Sequence, residues 1–225
     1  LAPNTNKPLH LGHLRNGALG MAVANMYQAT GHWVVRANLV NDRGVHICKS
    51  MMAWQRWGNG TTPATENEKG DHFVGKYYVR YAQEAENDAS LEDEILQLLQ
   101  KWEAGDPDTV ALWKMMNGWV YDGFDQTYRR FGLKFDAYYY ESDTYKLGKD
   151  IIQQGLEKNV FSTDTNGNTV FFLPEEEFSR DKNGELKKVT VLRADDTSLY
   201  ISQDIGTAIL KITDHKLDYS IYVVG

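Results

Sequence analysis

Two histidines around a glycine, followed directly by a helical pattern, form the sequence feature that most constrains how this chain can fold. His10, Gly12 and His13 make up this loop, and Lys7 lies just upstream. The imidazoles and the lysine can donate to phosphate oxygens that gain charge during a reaction, and the glycine lets a flat base approach the backbone closely. A helix predicted to begin near Leu14 directs its positive end at the same place. The loop therefore favours a polyphosphate-binding turn, although two isolated histidines would more often only cap the helix.

The segments after this loop alternate between helical and extended patterns. Residues 14–29 predict a helix, 33–40 predict an apolar strand, and the polar loop that follows precedes another helical pattern. This strand–loop–helix order is typical of an α/β nucleotide-binding fold, in which ligands lie beyond the carboxyl ends of the strands. Asn41, Asp42 and Gly44 thus occupy a loop that can support a ligand, and simple turn formation explains them equally well.

The remaining pattern predicts two insertions into this fold. A polar stretch from residue 58 leads into helical periodicity, whereas the turn signal Asn166-Gly167 between apolar runs predicts a hairpin. Further on, residues 198–202 predict a strand, 204–214 a helix and 219–224 a final buried strand. The expected organisation has five parts: the first part of a Rossmann-like catalytic domain (1–57), a helical insertion (58–106), a catalytic-domain helix and strand (107–145), a β-rich insertion (146–196) and a truncated return to the catalytic domain (197–225).

Composition narrows the classes of function. The net charge of −7 argues against a general nucleic-acid-binding surface. The single cysteine, Cys48, excludes a disulfide framework and argues against a thiolate zinc site, so we expect no protein-bound zinc and an intracellular setting. No apolar run reaches bilayer-spanning length. Because the chain opens at Leu1 almost on the loop and closes on the strand-like Val223-Val224-Gly225, we expect a fragment of a longer protein.

Four segments give the chain a family resemblance. The run His10-Leu11-Gly12-His13 resembles the HIGH signature of class I aminoacyl-tRNA synthetases, and its surroundings, 3–16, resemble the entry to the catalytic domain of the arginyl-tRNA synthetases. Three later segments are similar to that family in the same order: 38–44, 138–142 and 199–206. The resemblance implies an α/β fold, namely the first half of a class I synthetase Rossmann-like nucleotide-binding domain with a helical insertion and a small β-rich insertion.

The same resemblance implies a reaction. The intact enzyme would join L-arginine to ATP, taken as its Mg²⁺ complex, to give arginyl-adenylate, and would then transfer the arginine to tRNA(Arg). His10, His13 and Lys7 would be catalytic and, with Gly12, would bind ATP. Lys7 matches a lysine upstream of HIGH that many arginyl enzymes use in place of the second family signature, KMSKS. The resemblance also implies a cytoplasmic monomer without membrane association.

A site for arginine requires acidic groups, because a guanidinium is planar, always charged and best met by carboxylates. The resemblance assigns Glu141, Tyr200 and Asp204 to the side-chain pocket and Asn4 to the α-amino and carboxylate end of the substrate. Each residue also has a simpler explanation from the pattern alone. Asp204 can cap a helix, Glu141 can be a solvated charge at a strand end, and Tyr200 can belong to the core. The agreement of the flanking segments favours the pocket.

By the same resemblance, the chain departs from a complete synthetase. It would lack the second half of the nucleotide fold, with its KMSKS region, and the anticodon-binding domain, so we expect the fragment alone to be inactive. Two other classes of function stay open: another class I synthetase or an HxGH nucleotidyl transferase, and a non-enzymatic or RNA-binding module. Paired carboxylates argue against an apolar amino acid as substrate, and long insertions argue against a compact transferase.

Overall fold

The computed structural model describes residues 1–145, 147–174, 180, 184, 186–194 and 200–224, with only the backbone described at 149, 200, 202 and 203. The chain divides into two compact units, Leu1–Tyr140 with Tyr222–Gly225, and Glu141–Ile221. Each unit has its own small sheet and its own apolar core, so the two are described separately.

Helices around a short parallel sheet make up the first unit. In chain order its elements are α1 (Leu11–Ala29), β1 (Ala37–Val40), α2 (Val45–Trp57), α3 (Gly70–Ala85), α4 (Ser90–Glu103), α5 (Pro107–Phe131) and β2 (Ala137–Tyr140). β1 and β2 pair in parallel, with Val40 opposite Tyr140 at the carboxyl end. The first residues of the chain run along the other edge of β1, where the N–H of Leu39 donates to the carbonyl of Leu1 at 2.9 Å. The carboxyl end of the sheet therefore carries both the start of the chain and the loop after β1.

The core of the first unit is built largely from α2, α3 and α5, which present apolar side chains at helical spacing. Along α5, Leu112, Met116, Val120 and Phe124 form a stripe of buried apolar side chains. Cys48 on α2 is buried in the same core, and this burial raises the pKa of its thiol to about 12. The thiol therefore stays protonated and packs as part of the core.

Two glycines bring α3 and α5 into close contact. A Cβ added at Gly70 would lie 1.9 Å from the carbonyl oxygen of Trp119, and one added at Gly123 would lie 2.5 Å from Oδ1 of Asp71. Asp71 is fully buried, and its carboxylate accepts hydrogen bonds from Nζ of Lys69 at 2.8 and 2.9 Å. Gly123 thus weakens the intrinsic helix propensity of α5 but lets a buried ion pair pack against it.

The second unit combines helices with an antiparallel sheet. Its elements are α6 (Glu141–Thr144), α7 (Leu147–Glu157), β3 (Ser162–Thr163), β4 (Thr169–Phe172), β5 (Lys188–Leu192) and α8 (Tyr200–His215). The sheet order is β3-β4-β5, and the predicted hairpin at Asn166-Gly167 is confirmed. Gly167 has a φ of +82°, and Oδ1 of Asp164 accepts from the N–H of Asn166 at 2.9 Å. The buried core of this unit is Ile152, Phe161 and Val191.

Three predictions of secondary structure are wrong. α1 begins at Leu11 rather than near Leu14. The strand predicted at 198–202 is a helix where it is described, because Ile201 and Ile205 are one helical turn apart and both pack on the second core; 195–199 lie outside the described residues. The strand predicted at 219–224 is irregular, and Tyr222 is 55% exposed. A strand needs a hydrogen-bonded neighbour, and apolar composition cannot supply one.

Candidate active site

His10 and His13 cap α1 reciprocally. The Nδ1 atom of His10 accepts a hydrogen bond from the backbone N–H of Gly12 at 3.1 Å, and Nδ1 of His13 accepts one from the backbone N–H of His10 at 3.2 Å. Because each Nδ1 is an acceptor, each neutral imidazole carries its proton on Nε2. Capping and phosphate binding therefore use different nitrogens of the same rings. The cap leaves two Nε2–H donors at the positive end of a 19-residue helix.

Gly12 packs closely against the imidazole of this cap. A Cβ added at position 12 would lie 3.0 Å from Cε1 and 3.1 Å from Nδ1 of His10, so a side chain would press on the capping imidazole. The His10 and His13 rings are packed together, with centroids 3.9 Å apart. The absence of a side chain at Gly12 therefore leaves room for the His10 ring. The sequence gives a second role for this glycine, the close approach of a base to the backbone.

The charge of the loop comes from Lys7 rather than from His13. Partial burial lowers the pKa of His13 from 6.5 to about 4, and the neighbouring His10 and Lys7 lower it as well. His13 is therefore neutral near pH 7. Pro8 packs against α3 at Gly75, where an added Cβ would lie 2.8 Å from Cδ of the proline. This contact holds the loop against the core while Lys7 stays exposed.

Two asparagines meet at the carboxyl end of the parallel sheet. Nδ2 of Asn41 donates to Oδ1 of Asn4 at 3.1 Å. The backbone of Asn41 is held on the same edge, because its N–H donates to the carbonyl of Pro3 at 2.9 Å and its carbonyl accepts from the N–H of Thr5 at 3.1 Å. Gly44 has a φ of +99°, which favours glycine, and directly precedes α2. The asparagines lie at the sheet end, whereas Gly44 shapes the turn into the helix.

Asp42 is directed into the protein. It is 1% exposed, and its Oδ2 accepts a hydrogen bond from the hydroxyl of Tyr121 at 2.8 Å. Its backbone carbonyl accepts from Nε1 of Trp113 at 2.6 Å and from Nδ2 of Asn117 at 3.2 Å. Any support that Asp42 gives to a ligand is therefore exerted through the shape of the loop.

Sequence reasoning missed the three α5 residues that bind Asp42. Trp113, Asn117 and Tyr121 are spaced four residues apart, one position after the apolar stripe of the same helix. Side chains with polar tips that recur at helical spacing beside a buried stripe are the signal that could have found them. Their partner could not be named from that signal, because it lies more than 70 residues earlier in the chain.

The acidic residues assigned to arginine belong to the second unit. Glu141 is half-buried and begins α6, which packs against α8. Asp204 lies one turn after Tyr200 inside α8, so it does not cap that helix. Asp204 is exposed at the surface of its unit, yet partial burial of the carboxyl raises its pKa, and Lys211 on the same helix opposes that shift. The backbone of Tyr200 starts α8, and its side chain lies outside the described residues.

Two kinds of feature are absent from the described part of the chain. Within those residues, no three His, Cys, Asp or Glu side chains lie close enough together to hold a metal ion. Over the same ranges, no helix combines the length and the apolar character that crossing a bilayer requires.

Comparison with known proteins decides the family. The family described as "tRNA synthetases class I (R), catalytic domain" matches residues 1–225. The chain belongs to the class I arginyl-tRNA synthetase family. The arginine–tRNA ligase of Bacteroides fragilis (strain YCH46) is 49% identical over 241 residues, which cover 100% of this chain and 39% of that protein. The chain thus spans about two fifths of the length of the curated relatives it matches.

Solved arginyl-tRNA synthetase structures agree with the family. The Thermus thermophilus enzyme is similar with a TM-score of 0.71 at 27% identity, over 93% of this chain and 34% of that one. The Plasmodium falciparum enzyme has a TM-score of 0.70 at 16% identity, over 94% of this chain and 34% of that one, and shows the fold alone. The predicted α/β class and the predicted class I synthetase catalytic fold are confirmed.

Proposed function

We propose that this chain is the catalytic segment of an arginine–tRNA ligase, which in its intact form activates L-arginine with ATP and transfers it to tRNA(Arg). The reciprocal cap of His10 and His13 carries the proposal, because it leaves two Nε2–H donors at the amino end of α1. Membership of the family supports the same activity. A cytoplasmic, monomeric enzyme is part of the proposal.

Adenylation requires positioning and charge stabilisation rather than a protein nucleophile. A carboxylate oxygen of arginine forms a bond to the α-phosphorus of ATP, and the bond from that phosphorus to pyrophosphate breaks. His10 and His13 would donate to the phosphate oxygens that gain negative charge, and Lys7 would add a positive charge beside the Mg²⁺ that accompanies ATP. A His13 that is neutral near pH 7 can donate to phosphate without repelling Lys7. Gly12 would lie against the nucleotide.

Recognition of arginine would divide between the two ends of the substrate. Glu141 and Asp204 would meet the guanidinium, Tyr200 would line that pocket, and Asn4 would bind the α-amino and carboxylate end. An opposite charge nearby favours the ionised carboxylate. The raised pKa of Asp204 should therefore fall when arginine binds, which is the electrostatic response expected of a guanidinium site. Asn41 and Gly44 would support the substrate through the loop after β1.

The chain alone should not complete the reaction. It spans 39% of the matched B. fragilis ligase, and the later part of the nucleotide fold would supply the rest of the ATP site. We expect no arginine-dependent ATP–pyrophosphate exchange from this chain by itself. Measurable exchange from the chain alone would refute that expectation.

ATP–pyrophosphate exchange in a full-length enzyme that carries this segment tests the function. With tRNA(Arg) present, arginine should support exchange and the other amino acids should not. Exchange that depends on a different amino acid would assign another class I synthetase activity. Nucleotidyl transfer from CTP without any amino acid would assign a small transferase. Either result would reject the arginine proposal.

A further inference from the structure

Helix α5 presents three hydrogen-bond donors to the loop that follows β1. Trp113, Asn117 and Tyr121 are spaced four residues apart, so they share one side of the helix. All three donate to Asp42: the indole and the carboxamide to its backbone carbonyl at 2.6 and 3.2 Å, and the phenol to its carboxylate at 2.8 Å. Both the main chain and the side chain of this buried residue are therefore held from one helix.

Asp42 directly follows Asn41, so the bonds from α5 and the backbone bonds of Asn41 to Pro3 and Thr5 hold the same loop, and Asn41 in turn orients Asn4. The carboxamide of Asn41 donates to Oδ1 of Asn4 at 3.1 Å. An amide whose oxygen accepts this bond has its Nδ2 group on the opposite side, as a pair of N–H donors. Such donors suit a carboxylate oxygen, which is the group that the proposed function assigns to Asn4. The orientation of the Asn4 amide thus depends on the loop that α5 holds.

We propose that Tyr121 and Asp42 are positioning residues for the amino-acid substrate. They hold the loop after β1 so that Asn41 keeps the Nδ2 group of Asn4 turned toward the substrate carboxylate. This inference rests on the proposed function and adds α5 to the amino-acid site. Asp42 does not need to touch the substrate, since it is 1% exposed and its carboxylate accepts from the phenol of Tyr121.

The variant Tyr121→Phe removes one hydroxyl and keeps the aromatic ring, whose centroid lies 5.3 Å from the centroid of the Tyr140 ring. In a full-length enzyme that carries this segment, we expect the KM for arginine to rise roughly tenfold while kcat changes less than about twofold. A contact made equally in the ground state and in the transition state has this signature. Tyr78→Phe is the matched control, because its hydroxyl lies 3.2 Å from Nδ1 of His46 on the exposed side of α3. The control should leave both constants unchanged.

A double-mutant cycle separates positioning from general damage. Asn4→Ala alone should raise the KM for arginine, and Tyr121→Phe added to it should have no further effect, because the two residues act in series. Trp113→Phe, which removes the donor to the Asp42 carbonyl, should show the same non-additivity and replaces Tyr121→Phe if that variant does not fold.

The outcomes distinguish a failure of the positioning role of Tyr121 and Asp42 from a failure of the proposed function. Additive effects of Asn4→Ala and the α5 variants, or an unchanged KM in Tyr121→Phe, would overturn the positioning role and leave the arginine assignment in place. An unchanged KM in Asn4→Ala would instead remove the assigned role of Asn4, and the positioning inference would fail with it.

Discussion

The two units place their candidate residues by different physical means. In the first unit, His10, His13 and Asn4 are held by hydrogen bonds to residues nearby in sequence or on the adjacent edge of the sheet, above a large core. In the second, Glu141 lies on α6 and Asp204 on α8; α6 packs against α8, and α8 packs on a small core. Hydrogen bonds within the loop and along the edge of the sheet therefore fix the candidate residues of the first unit. The acidic residues depend on how helices pack.

The strongest test of the comparison removes one charge from the second unit. In the full-length enzyme, Asp204→Asn should raise the arginine KM by the equivalent of roughly 2–5 kcal/mol, because the loss leaves a guanidinium without one desolvated partner. Glu141→Gln should act similarly. Asp214→Asn, near the end of the same helix, is the control and should have little effect. Unchanged arginine kinetics in both pocket variants would show that the second unit does not recognise arginine.

The corresponding test in the first unit removes the hydrogen-bond donor of one histidine. His13→Ala should slow adenylation by roughly 10²-fold, since a lost preorganised donor to developing charge has about that effect. Arginine binding, measured at equilibrium, should be retained. The exposed His72 on α3 is the control, and His72→Ala should leave the rate unchanged. A defect confined to arginine affinity would contradict the assignment of phosphate contacts to the first unit and guanidinium contacts to the second.

A third test measures how tightly α3 and α5 pack, by comparing alanine substitutions at two glycines of α5. Gly123→Ala should destabilise the chain by about 2 kcal/mol, because its Cβ would lie 2.5 Å from the buried Asp71 carboxylate. Gly118→Ala on the same helix meets nothing within 4 Å and should stabilise the chain by about 0.5–1 kcal/mol through helix propensity. Urea unfolding measures both. Equal changes in the two variants would show that the α3–α5 contact is not tight.

The smallest expected effect concerns the pH dependence of the histidine cap. The pKa of His13 is about 4 in the folded chain and 6.5 when unperturbed. The unfolded state therefore binds more protons between these values, and stability should be lost as the pH falls from 6.5 toward 4. His13→Asn keeps a capping oxygen without a titrating ring and should reduce the difference in urea midpoint between pH 7.5 and pH 5. An identical difference in both proteins would contradict the lowered pKa.

Local patterns predicted much of this structure because local contacts produce it. The helix expected within 107–145 is present as α5, and its spacing alone brings Leu112 and Met116 to one buried face. The Asn166-Gly167 hairpin appears because Gly167 can adopt the positive φ that the turn requires. Capping by His10 and His13, the alternative that the sequence offers to phosphate binding, is confirmed, but the reciprocal use of the two Nδ1 atoms could not be predicted, because choosing between the nitrogens of a ring needs coordinates.

Predictions failed where a distant partner decides the conformation. The segment at 219–224 is apolar enough for a strand, yet strand formation requires a neighbour with free backbone groups. Residues near 200 were assigned to a strand, yet the spacing of Ile201 and Ile205 suits a helix that packs on the second core. The roles of Trp113, Asn117 and Tyr121 depend on a residue more than 70 positions away.

Residue spacing and motifs that are contiguous in the chain were enough to predict the α/β class, the histidine–glycine loop at the start of a helix and the family. Coordinates were needed to show that Asp42 turns inward to α5 and that Asn41 orients the Asn4 amide. Those features join segments that are far apart in sequence, and only the packed chain brings their hydrogen-bonding groups within reach of one another.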